Sequence, residues 1–229
     1  MMKTIILLLL SFVLANCSSA PKPVIPATPH ALIDPNTVDV LQILPGPPKL
    51  HSKASDADYE TLKHLQKTRT KEQCERAKSE ESFTSEGFIG FFQVPRGPLS
   101  EAETNHWKPF FSRLLADSRP IWRAGKEHWA RPRPYYVVKS LHPCVKVETN
   151  YAYPSGHAAT GELYAKVLAD IYPERAEAFL KRGIEIGDDR VLGGVHHPTD
   201  VRDGRVLGDH VYDAFQKNEY FKAALKLMR

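Results

Sequence analysis

The sequence predicts an all-α fold, and three observations carry that expectation. Apolar residues recur at helical spacing wherever a period is visible, Ser100-x-x-Glu103 has the spacing of a helix capping box, and no run of alternating β-branched residues competes with them. The chain has 229 residues, 42% of them hydrophobic and 25% charged. That suits one large domain, or at most two small ones, and disfavours a disordered chain, a collagen repeat and a polytopic membrane protein. Net charge is +4, from 31 Lys and Arg against 27 Asp and Glu, and the excess is scattered rather than gathered into runs. It suits an anionic substrate and is weak evidence for nucleic acid, which is not expected as a specific partner.

In chain order, residues 1–17 read as an export signal. Lys3, the apolar run Ile5–Leu14 and the small residues Ala15-Asn16-Cys17-Ser18 follow its charged, apolar and small-residue order. An apolar helix of that length covers about 15 Å, half of a ~30 Å bilayer core, so it is no spanning helix. Leu14-Ala15-Asn16-Cys17 also resembles a bacterial lipobox, with Asn16 where Gly, Ala or Ser is usual; acylation there would make Cys17 a lipid anchor, and Val13-x-Ala15 is the ordinary cleavage alternative. Residues 18–33, with Pro21, Pro23, Pro26 and Pro29, have the composition of an extended tether. Residues 34–229 are then the folded domain, and the whole is expected to be exported, to the periplasm or to an anchored position at the outer membrane.

Within the domain, helical periods run through Val38, Leu41 and Ile43; through Tyr59, Leu62 and Leu65; and through Trp107, Phe110, Phe111, Leu114 and Leu115 after the capping box. A helix from about Ile121 places Lys126 near its end. Further periods cover Ala158 to Tyr172, then Phe179, Gly183 and Ile186. A final helix starts near Pro198, with Gly204 and Gly208 allowing a neighbour to approach closely. There are three cysteines. If Cys17 is removed or acylated, Cys74 and Cys144 remain as the one pair able to form a disulfide in an oxidising compartment, with two buried thiols as the alternative.

Three clusters carry chemistry. In the first, Lys126 ends a helix and Pro132 and Pro134 force Arg133 into extended chain. In the second, Tyr153-Pro154-Ser155-Gly156-His157 opens a helix, offering a hydroxyl and unpaired backbone N–H groups to an anion, with His157 in the first turn. In the third, Arg190 is followed by His196 and, four residues on, Asp200, a spacing that brings a carboxylate beneath an imidazole and leaves the other ring nitrogen as nucleophile or metal ligand. Together they supply three cations, a nucleophile and an acid, an inventory for phosphoryl transfer without a metal or cofactor. A competing reading gathers Asp188, Asp189, His196, His197 and Asp200 into a metal site, giving a metal-dependent phosphohydrolase or a metal-binding surface lipoprotein.

Lys126-x6-Arg133-Pro134, Pro154-Ser155-Gly156-His157 and Arg190-x5-His196-x3-Asp200 resemble the three-part signature of the type 2 phosphatidic acid phosphatase superfamily, which includes the vanadium haloperoxidases. With Leu44-Pro45-Gly46-Pro47-Pro48 and Gly183-Ile184-Glu185-Ile186-Gly187, the chain from about Leu32 onward is similar to the class A bacterial nonspecific acid phosphatases. The resemblance implies a compact helical bundle with the active site at its centre and broad hydrolysis of small phosphomonoesters. It implies that His196 attacks phosphorus to give a phosphohistidine, that Asp200 orients it, and that His157 serves as acid and then base. Lys126, Arg133, Ser155, Gly156 and Arg190 would hold the phosphate. A haloperoxidase shares the motifs but is usually much longer. Asp189 stands where the family has Ser, and it is expected to form a hydrogen bond or ion pair outside the phosphate-binding groups. The sequence specifies no oligomeric state.

Overall fold

A computed structural model describes residues 30–81 and 99–229. The export signal, Cys17 and the tether up to residue 29 lie outside the described residues. Among those described there are helices and no strand: α1 (Val40–Ile43), α2 (Lys53–Thr68), α3 (Lys71–Ser79), α4 (Glu101–Trp129), α5 (Pro134–Val137), α6 (Gly156–Ile171), α7 (Ala176–Leu192), α8 (Pro198–Phe215) and α9 (Glu219–Met228). The all-α expectation therefore holds. No helix among the described residues is long and apolar enough to cross a membrane.

The capping box forms as its spacing requires: the Glu103 N–H donates to Ser100 Oγ at 3.2 Å, and the Ser100 N–H donates to Glu103 Oε2 at 2.8 Å. From there α4 runs unbroken to Trp129, through Pro109 and Pro120, where the periodicity alone suggests two segments. Interior proline costs a helix about 3 kcal/mol. Here the cost is met by burial of one continuous stripe, Trp107, Phe110, Phe111, Leu114, Leu115, Ile121 and Trp122. The helix stops at Ala130, which adopts φ 45°.

At the centre lies α6, whose buried residues include Ala158, Ala159, Gly161, Leu163, Tyr164, Ala165, Val167, Leu168 and Ile171. It packs most extensively on α7 and α8. Small residues set the separation. A Cβ on Gly208 would lie 2.4 Å from the Ala159 carbonyl oxygen, one on Gly204 2.6 Å from that of Ser155, and one on Gly183 2.7 Å from that of Gly161. The glycines expected to permit close approach in the helix at Pro198 thus bring α8 backbone directly onto α6. That helix is followed by another, α9, whose Phe221, Ala224, Leu225 and Met228 complete the core.

Two residues at the end of the stretch read as a tether are buried. Leu32 and Ile33 join the main core, the Leu32 N–H donates to Asp117 Oδ2 at 2.7 Å, and Asn218 Nδ2 donates to the Leu32 carbonyl at 2.8 Å. Among the described residues packed chain thus begins at Leu32, because a pair of large apolar side chains outweighs the polar, proline-rich composition around it.

Candidate active site

Four backbone junctions deliver the motif residues to one place: the end of α4, the extended chain before α5, the start of α6, and the turn from α7 to α8. Lys126, in the last turn of α4, is buried, and its Nζ donates to the Tyr151 and Ala152 carbonyls at 2.6 and 3.3 Å. Ser155 caps α6, accepting from the Ala158 N–H, while its own N–H donates to the Asp200 carbonyl at 2.9 Å and so ties α6 to α8. Gly156 sits in close quarters: a Cβ there would stand 3.2 Å from the Trp122 indole, tight enough that the ring would have to give way slightly.

Asp200, wholly buried in the first turn of α8, accepts from several donors. Its Oδ2 lies 3.3 Å from His196 Nδ1 and 2.9 Å from His197 Nδ1, and accepts from the His197 N–H at 2.8 Å, while Oδ1 accepts from Arg131 Nη1 at 2.6 Å. With Nδ1 of His196 donating to Asp200, its Nε2 keeps the lone pair, and Arg133 Nη1 sits 2.9 Å from it. Burial, then Arg133, hold the His196 imidazole well below its ordinary range against the pull of Asp200, so the ring is neutral. Burial works against the Asp200 carboxylate, but His197, the hydrogen bonds from both histidines and Arg131 hold it well below the usual carboxylate range. His157 is pushed down to about 3, by burial first and then by Arg190, with Glu148 opposing.

Arg133 and Arg190 are both buried to about 1% exposure. Arg133 is fixed by the carbonyls of Val195 at 2.7 Å and Asn150 at 3.0 Å and by the Asn150 side chain. Arg190 is less satisfied. Its Nη2 donates to Glu148 Oε1 at 3.1 Å, but its buried Nε and Nη1 find no hydrogen-bond partner among the described residues. A buried guanidinium with two idle donors is costly unless something anionic comes to it.

Lys126, Gly156, His157 and His196 line a cavity of about 230 Å³, together with Arg119, Trp122 and Arg123 from α4. An adjoining space of about 400 Å³ is lined by His157 and Arg190, and Glu148 and Asn150 belong to both. The fold thus gathers the predicted residues, with Asp200 and Ser155 behind the cavity wall as supports. Burial, then Arg133, push Lys126 down to about 7, with Glu148 acting in the opposite sense.

Several residues of the site escape sequence reasoning. Glu148 bridges Arg133 Nη2, at 2.7 Å, and Arg190. Arg131 links Asp200 to Asp58 on α2, at 2.9 Å, and to Thr199. A lone Glu in a polar loop and an Arg beside prolines carry no periodic or motif signal. Asp189 lies outside the phosphate-binding groups as expected: Arg76 Nε and Nη2 hold it at 2.6 and 2.5 Å. Asp188 points instead to Arg205, at 2.6 Å. Asp188 and Asp189 are therefore drawn away from His196, His197 and Asp200, and no group of three or more His, Cys, Asp or Glu that could hold a metal occurs among the described residues. Cys74 and Cys144 form a disulfide.

Comparison with known proteins agrees with this geometry. Residues 114–211 match the PAP2 superfamily. The chain is 29% identical over 203 residues to a non-specific acid phosphatase of Providencia stuartii, covering 86% of this chain and 82% of that one. It is 35% identical over 112 residues to a non-specific acid phosphatase of Salmonella typhimurium, 46% of this chain and 44% of that one. In fold it is similar to a transmembrane PAP2 type phosphatidylglycerolphosphate phosphatase from Bacillus subtilis, with TM-score 0.53 and 22% identity over 73% of this chain and 87% of that one. It is also similar to a bacterial vanadium-dependent iodoperoxidase, with TM-score 0.56 and 16% identity over 78% of this chain and 53% of that one. The stretch that matches the PAP2 superfamily is thus the one that holds Lys126, Arg133, His157, Arg190, His196 and Asp200.

Proposed function

We propose that the protein is an acid phosphatase that hydrolyses a broad range of phosphomonoesters through a phosphohistidine, without a metal or other cofactor. The observation that carries this reading is a neutral, Asp200-oriented His196 on one cavity and the idle buried donors of Arg190 on the adjoining one, with His157 lining both. A phosphoryl group there takes the N–H groups of Arg190, Arg133, Lys126 and the start of α6 on its oxygens. The His196 Nε2 lone pair attacks phosphorus as the ester P–O bond breaks, and His157 gives its proton to the departing alkoxide. The phosphorylated imidazole keeps its Nδ1 proton and becomes cationic, a charge that Asp200 balances. Water then attacks phosphorus, passes a proton to His157, and the P–N bond breaks to return His196 and release phosphate.

His157 is depressed in the empty site by burial and Arg190. An incoming dianion offsets that cation, so the substrate itself restores the acid. Arg119, Trp122 and Arg123 line the same cavity and would face the organic part of the ester. The leader, tether and disulfide together support export, to the periplasm or to a Cys17 lipid anchor; mass spectrometry of the mature N-terminus distinguishes the two. For the activity, the test is turnover of p-nitrophenyl phosphate by the purified domain with chelator and with vanadate. Turnover unaffected by chelator and blocked by vanadate is expected. Loss with chelator and rescue by a divalent metal would overturn the metal-free mechanism.

A further inference from the structure

We propose that Glu148 is an internal anion seated where the substrate's phosphoryl oxygens belong, and that by contesting Arg133 and Arg190 it sets how tightly the site holds a phosphate group. The inference rests on the phosphatase reading above. Its two carboxylate oxygens each take one guanidinium, Oε2 from Arg133 at 2.7 Å and Oε1 from Arg190 at 3.1 Å. Two oxygens of a phosphoryl group would present the same acceptors to the same donors. Glu148 is also a wall common to both cavities, so it stands between two openings rather than behind the site.

The geometry makes Glu148 the movable member. Both arginines are almost wholly buried, and Arg133 is pinned by the Val195 and Asn150 carbonyls, whereas the Glu148 side chain keeps 26% of its surface in water. Its backbone does not need to move. Tyr135 Oη donates to the Glu148 carbonyl at 2.6 Å and accepts from the Glu148 N–H at 3.0 Å, and the segment is tied to α3 four residues earlier through Cys144. Release of the arginines is therefore a side-chain rotation. The competitor stays ionised, because Arg133 first and also Arg190 outweigh burial and hold its carboxyl well below the usual range. Proton uptake does not displace it; a better anion must.

Charge then decides the outcome. A phosphomonoester dianion brings two charges to the two guanidinium groups and outbids one carboxylate, and because Glu148 must leave before any ester enters, its displacement costs every ester alike. Glu148→Gln keeps the size and removes the charge. We expect KM for p-nitrophenyl phosphate and the inhibition constant of inorganic phosphate to fall about five- to tenfold, with a smaller change in kcat. The ratio of kcat/KM for bis(p-nitrophenyl) phosphate to that for p-nitrophenyl phosphate should stay as in wild type, since both esters gain equally. Glu148→Ala should lower KM and the inhibition constant likewise. A KM and inhibition constant that rise or stay put in both variants would overturn the proposal and make Glu148 a support that orders the arginines. A ratio that falls in both variants would show that Glu148 repels the bound dianion instead of vacating the site, and would overturn the displacement. If neither wild type nor variant turns over p-nitrophenyl phosphate, the phosphatase reading fails, and calorimetry with inorganic phosphate still decides this one: tighter binding by the variant supports an internal competitor, and equal or weaker binding refutes it.

Discussion

His196 and His157 are the same side chain made unlike by their surroundings. His196 is oriented through Nδ1 by Asp200 and kept neutral by burial and Arg133, which leaves Nε2 with the lone pair that the proposed mechanism uses; His157, beside Arg190 and Glu148, is in that proposal the ring whose protonation an arriving anion favours. Replacing His196 with Ala should therefore abolish turnover. Replacing His157 with Asn should slow alkyl phosphates far more than aryl phosphates, since only the alkoxide needs a proton to leave; equal losses on both substrates would refute the acid assignment. Lys126 gives a pH prediction of definite sign. With its pKa lowered to about 7, by burial first and Arg133 second, it is a cation below that pH and neutral above it. KM for an aryl phosphate, already dianionic in this range, should thus climb as pH passes from 7 to 8.5, by up to about tenfold. Lys126→Arg, charged throughout, should flatten that climb, and a wild-type KM independent of pH across the range would remove the argument. Motif residues such as these were readable because their spacing is local. Glu148 was not, because its meaning lies in two arginines 15 and 42 residues away.

At the scale of elements, α6 is the hub, and the small residues facing it fix how close α7 and α8 come. This part was legible: Gly204 and Gly208 stand on the stripe that includes Val201, Val211 and Phe215, and glycine on a buried stripe implies a close neighbour. The unbroken course of α4 through Pro109 and Pro120 was not legible, because proline at both positions argues locally for a break and only tertiary packing overrides it. Gly208→Ala tests the hub. Its methyl would fall 2.4 Å from the Ala159 carbonyl oxygen and 2.8 Å from Glu162 Cβ, neither of which can withdraw without shifting a helix. Overpacking of this kind costs about 1–3 kcal/mol. Because α6 carries His157 and α8 carries Asp200, kcat should fall as well. Urea denaturation with a parallel assay checks both, and a variant as stable and active as wild type would show that α6 and α8 can slide apart freely.

Across the whole molecule, α2 and α3 act as a brace that holds the catalytic segments through partners distant in sequence. Arg131 reaches Asp58 across 73 residues, Arg76 reaches Asp189 across 113, and Arg182 meets Glu80 across 102. Nothing in a single sequence pairs such residues, so the burial of Arg131 between two carboxylates has no local signal there. The disulfide is the covalent part of this brace. It joins Cys74 on α3 to Cys144, with a sequence separation of 70, ahead of the segment that bears Glu148 and Asn150. Closing a loop of that length stabilises the fold by about 4 kcal/mol, chiefly by restricting the unfolded chain. In a domain of this size that corresponds to roughly 10 °C in Tm. Reduction, or Cys74→Ser with Cys144→Ser, should lower Tm by that amount and speed amide exchange in residues 145–150 more than in α6. The ion pairs Arg76–Asp189 and Arg182–Glu80 remain in the reduced protein, so it should stay folded and active at 25 °C. A Tm shift below about 3 °C would show that those pairs alone hold α3 in place; loss of folding on reduction would show that they depend on the covalent link.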